Sequence, residues 1–113
     1  MNFVDKDLLS IQEARILSEH AAEAKKALAL FTQEKLDQIL ERMCQAIVPH
    51  LQELALMLVE ETAYGCSQDE FVLLKSLCEV LPARLKGMQC VGILSRDQEE
   101  KITEVGVPLG VIA

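Results

Sequence analysis

Residues 87–113 read GMQCVGILSRDQEEKITEVGVPLGVIA, and the fold turns on this stretch. Four of the chain's five glycines (Gly87, Gly92, Gly106 and Gly110) fall here, interleaved with Val and Ile. Glycine weakens helices, and β-branched residues suit strands. Gln89–Leu94 therefore reads as a strand, Ser95–Glu100 as a polar turn and Lys101–Val107 as the returning strand of an antiparallel hairpin. Pro108 has no amide to give to a ladder and breaks the second strand. Leu109–Ala113 then begins a third extended segment. Its apolar run reads as a buried strand of a parallel sheet. No crossover helix follows it within these residues, so the expectation is a chain that continues into a larger sheet.

The 86 residues upstream are rich in Leu, Ala, Glu and Lys, which favour helix. Ser10 with Glu13 forms a capping box and predicts a helix start. Ile11, Ala14, Leu17, Ala21, Ala24 and Leu28 follow at helical spacing. Lys25 and Lys26 suit the negative end of that helix. Thr32 is the next cap, and Leu36, Leu40, Met43, Ile47, Leu51, Leu54 and Leu58 continue one stripe. Pro49 interrupts it and predicts two helices, with the proline in the first turn of the second. Gly65 reads as the cap that ends this helix. Ser67 with Glu70 opens a fourth helix with Phe71, Leu74, Cys78 and Leu81 on one face, ended or kinked by Pro82. The fold class expected is mostly α with a C-terminal β-hairpin. The expected divisions are a helical segment 1–86, a hairpin 87–108 and a further strand 109–113.

Composition narrows the function classes. With 113 residues and 50% hydrophobic content, general disorder is excluded and a core is expected that buries about 65% of the unfolded surface. A formal charge of −7 argues against a nucleic-acid partner, since affinity for phosphates comes from Lys and Arg. The longest apolar run, Leu54–Val59, is far short of the ~20 residues that span a bilayer. Met1–Leu9 lacks the basic start and apolar core of a secretory signal. The four cysteines (Cys44, Cys66, Cys78 and Cys90) form no close pair, which predicts reduced thiols in a cytoplasmic protein and no metal site.

No residue pattern announces catalysis. Glu60 and Glu61 are adjacent and diverge by about 100° on a helix, so they read as a solvated helix end. Tyr64 reads as packing at a helix terminus. Cys44 and Cys90 have no base beside them in sequence to activate a nucleophile. Gly106 and Gly110 lack the third glycine of a dinucleotide loop. The expectation is that this stretch holds no catalytic, cofactor-binding or metal-binding residue.

The order of elements nevertheless resembles the start of an aldehyde dehydrogenase of the CoA-acylating type, including the aldehyde half of bifunctional aldehyde–alcohol dehydrogenases. The residues that carry the resemblance are Ser10–Ala14, Val59–Gly65, Cys90–Leu94 and Val107–Ala113. Two positions depart from the family pattern. Ala63 stands where Gly is common, and Val107 where a polar residue is common before the proline. The resemblance implies a parent enzyme that forms acyl-CoA from an aldehyde, CoA and NAD through a cysteine thioester. It places the cysteine and the nucleotide loop beyond Ala113, so NAD and CoA are implied for the parent and not for this chain. It also implies that Gln89–Val107 is an oligomerisation arm, with further copies and the rest of the parent as partners and no membrane or nucleic acid. Some relatives carry a microcompartment leader, and Met1–Leu9 is too short for one. The competing reading is a complete small helical interaction module docking through its leucine stripes.

Overall fold

The computed structural model describes residues 5–113. Four helices come first: α1 (Lys6–Leu28), α2 (Gln33–Ile47), α3 (Leu51–Thr62) and α4 (Ser67–Leu85). Two strands follow, β1 (Gly92–Asp97) and β2 (Ile102–Gly106), paired antiparallel. The expected fold class is observed, with several boundaries moved. Met1–Val4, part of the stretch read for signals and leaders, lie outside the described residues.

Helix α1 starts a turn before the Ser10–Glu13 box. Asp5 is its cap, and its Oδ1 accepts from the amides of Asp7 at 3.0 Å and Leu8 at 3.1 Å. Two orphan amides at a helix start are satisfied there, which defines the beginning. Ser10 sits inside the helix, with its Oγ donating to the carbonyl of Lys6 at 2.9 Å. Its hydroxyl is thus turned back along the helix and caps nothing.

The three helices within Gln33–Gln89 make one unit, in which α3 packs most extensively on α4. Pro49 lies in a 3-10 turn, Val48–His50, that separates α2 from α3 and precedes the first turn of α3. A 3-10 turn advances residues at three per turn, so it rephases the stripe that runs into α3. The expected Leu51, Leu54 and Leu58 become Leu51, Ala55 and Val59. Leu51 and Ala55 are the buried apolar residues, Val59 is half-buried, and Leu54 and Leu58 remain exposed.

Helix α3 ends at Thr62, and Ala63 supplies the left-handed turn at φ 53° while its amide bonds the carbonyl of Val59 at 2.9 Å. Gly65, expected as the cap, adds a second positive φ of 79° just beyond it. In α4, Cys66 occupies the cap position with no side-chain bond, and Ser67 is already helical, which displaces the expected Ser67–Glu70 box. Pro82 does not end α4, which runs on to Leu85. The half-buried face is Phe71, Leu74, Cys78 and Pro82, while Leu81 is exposed.

The second unit combines the N-terminal stretch through Thr32 with Cys90–Ala113. The first strand is shifted three residues along the chain, to Gly92–Asp97 from the expected Gln89–Leu94. Ser95, Arg96 and Asp97 pair with Glu104, Thr103 and Ile102, and the Ser95 hydroxyl donates to Glu104 Oε2 at 2.8 Å. The reversal starts after Asp97, whose Oδ1 accepts from the amides of Glu99 and Glu100 at 2.9 and 3.0 Å. That Asx turn replaces the ladder at this point. A bulge between Ile93 and Ser95 interrupts the register. Leu109–Ala113, expected as a buried strand, forms no ladder among the described residues, and Leu109 and Ile112 are 89% and 75% exposed.

The core is far smaller than composition suggested. The chain exposes 9945 Å², against about 6,200 Å² for a folded monomer of its mass and about 18,000 Å² unfolded. Under half of the unfolded surface is hidden, not the expected two thirds. Half the residues are apolar, but their stripes lie on single helices and a single hairpin that these residues do not cover.

Candidate functional site

Glu60 and Glu61, at the end of α3, are both exposed. Tyr64 was expected to pack at the helix terminus. It is 80% exposed, because the left-handed turn at Ala63 carries the chain off the helix before it. Cys90 lies two residues before β1 and is exposed, as is Cys66 before α4. Among the described residues no group of three or more His, Cys, Asp or Glu could hold a metal ion.

The structure does bring together two residues that sequence spacing left apart. A groove of about 470 Å³ runs between α2 and α4. Cys44 lines it from α2 and Cys78 from α4, with Asp37, Glu41 and Glu79 at its polar parts and Pro82 on its wall. Both thiols are half-buried. Burial pushes the pKa of Cys78 up, and the neighbouring Cys44 and Glu79 push it further. Cys78 lies on the face expected for α4, but Cys44 falls beside the stripe Leu36, Leu40, Met43 and Ile47 expected for α2, so helical spacing signalled only one of the two.

The hairpin glycines serve backbone packing. A Cβ at Gly106 would overlap the carbonyl oxygen of Cys90, so the β2 backbone passes against the chain entering β1. No side chain fits there. Gly110 has φ 101°, and the Lys25 side chain stands 3.0 Å from where its Cβ would be. A dinucleotide phosphate needs glycines that open a cradle of backbone amides at a helix N-terminus. Here a carbonyl and a lysine chain fill both spaces, so these two glycines open no such cradle. No step through a cofactor is assigned to them.

Four helices followed by an antiparallel hairpin match the N-terminal part of an aldehyde dehydrogenase structure. A crystal structure of a probable aldehyde dehydrogenase from Listeria monocytogenes EGD-e superposes with a TM-score of 0.75 at 37% identity, over 90% of this chain and 22% of that one. The acylating sulfoacetaldehyde dehydrogenase of Bilophila wadsworthia is 33% identical over 107 residues, 87% of this chain and 22% of its own length. Aldehyde-alcohol dehydrogenase 2 of Entamoeba histolytica is 31% identical over 113 residues, 92% of this chain and 13% of its own. No family model matches the chain. The chain is homologous to the N-terminal region of CoA-acylating aldehyde dehydrogenases and aldehyde-alcohol dehydrogenases. It spans about a fifth or less of the length of these relatives. No helix among the described residues is long and apolar enough to cross a membrane.

Proposed function

We propose that this chain is the N-terminal segment of a cytoplasmic, NAD-dependent, CoA-acylating aldehyde dehydrogenase. The parent reaction converts an aldehyde, CoA and NAD to acyl-CoA and NADH through a cysteine thioester. The segment itself acts as scaffold and oligomerisation arm, with no catalytic, cofactor-binding or metal residue of its own. The observation that carries this reading is the likeness over 90% of the chain to an aldehyde dehydrogenase structure at 37% identity. The hairpin supports the structural role. A lone two-stranded ribbon is marginal in water, and both of its edges offer unpaired backbone groups. A second copy of the same hairpin satisfies one edge with a ladder it already matches.

Sequencing the gene downstream of codon 113, then assaying the whole product, tests the reading. The frame should continue into a nucleotide-binding sheet and a catalytic cysteine, and NAD reduction should require aldehyde and CoA together. A frame that closes at Ala113, or a product without that cysteine, would overturn it.

A further inference from the structure

We propose that Cys44 and Cys78, presented to each other across the α2–α4 groove, form a dithiol site that a small disulfide oxidant closes into an internal cystine. Both thiols line the same groove, and Cα atoms of α2 and α4 approach within 8 Å. Packed helix axes lie ~8–10 Å apart and each Cα sits ~2.3 Å off its axis, so directly facing Cα atoms are about 3.5–5.5 Å apart. The upper half of that range lies within the window of a cystine, ~4.4–6.8 Å. Cysteine is also small enough to sit where two helices come this close. Cys66 and Cys90 are exposed and lie outside the groove, so they compete for oxidant without competing for the pairing.

The chemistry is thiol–disulfide exchange. The Cys44 thiolate attacks one sulfur of the oxidant, the oxidant's S–S bond breaks, and the first small thiol leaves. The Cys78 sulfur then attacks the Cys44 sulfur of the mixed disulfide and expels the second small thiol. The protein gives up two electrons and two protons, and the oxidant is reduced to two thiols. Cys78 takes the second role because burial, then Cys44 and Glu79, make it hold its proton more firmly. Closure would tie α4 to α2 one turn before Pro82, where the proline has removed the amide that would meet the Cys78 carbonyl.

The test uses the full 113-residue chain carrying Cys66→Ser and Cys90→Ser. It is incubated with glutathione disulfide, alkylated, and read by intact mass and a non-reducing peptide map. The linked Cys44–Cys78 species, lighter by two hydrogens and free of glutathione, should exceed glutathionylated chain by about tenfold, because the second thiol is held near the first. Adding Cys78→Ser should leave one glutathione on Cys44. In denaturant the linked species should give way to the doubly glutathionylated one. In the unsubstituted chain the same linkage should form while Cys66 and Cys90 carry glutathione. A folded chain that retains glutathione on both Cys44 and Cys78 would overturn the proposal. So would linkage of either to Cys66 or Cys90, or no oxidation of the pair where the exposed thiols react.

Discussion

Ala63 holds φ at 53° where α3 ends, a conformation that costs a residue with a Cβ about 1–2 kcal/mol. Glycine removes that cost, and it also loosens the unfolded chain by about 0.4–1 kcal/mol. The first effect is the larger. Ala63→Gly should therefore stabilise the helical unit by roughly 0.5–1 kcal/mol, read as a raised midpoint in urea with an unchanged slope. An unchanged or lowered midpoint would show that the turn relaxes without strain. Gly106 is the opposite case. Its φ is not in the left-handed region, yet the Cys90 carbonyl fills the space of a side chain. Only a long-range approach reveals that need, so the local sequence could not.

Helix α1 sets two candidate starts against each other. Asp5 bonds two amides, whereas Ser10 donates back to the Lys6 carbonyl. Losing a working cap costs ~1 kcal/mol, and losing a mid-helix serine that bonds backward costs nothing or helps slightly. Asp5→Ala should lower the helicity seen by far-UV circular dichroism, while Ser10→Ala should leave it equal or higher. Reversed results would restore the start to Ser10. At this scale the sequence showed the kind of each element more clearly than its edges. Helix-forming composition up to Lys86 and the Val, Ile and Gly beyond it were enough for helices followed by a hairpin. The edges moved because side chains took over backbone partners, as Asp5 does for α1 and Asp97 for the hairpin turn. The stripe moved in α3 because Pro49 sits in a 3-10 turn, which made small Ala55, not Leu54, the residue that packs. The meeting of Cys44 and Cys78 depends on how α2 crosses α4, which no local pattern encodes.

For the molecule as a whole, the deciding quantity is exposed surface, which includes many large apolar side chains. The chain exposes about 3,700 Å² more than a folded monomer of its mass would. Obligate interfaces hide about 2,000–5,000 Å² over both partners, or about 1,000–2,500 Å² on each, so the excess is more than one such interface covers. It is spread over both units: Leu17 and Leu30 in the first stretch, Val72 and Leu73 on α4, and Leu109 and Ile112 at the tail are each more than half exposed. A solvated charged surface cannot account for this, because single exposed leucines are ordinary but stretches of them mark contact sites. The 113-residue chain on its own should therefore associate as its concentration rises, bind an apolar dye such as ANS, and melt broadly. Sedimentation velocity across a concentration series, with calorimetry on the same samples, reads this directly. A concentration-independent monomer with a sharp calorimetric transition would mean that the helical stripes are satisfied within the chain. The small-module reading would then replace the scaffold. Association that persists after Ile102→Lys and Val105→Lys on the hairpin would assign the sticky surface to the helices, and association lost with them would assign it to β2.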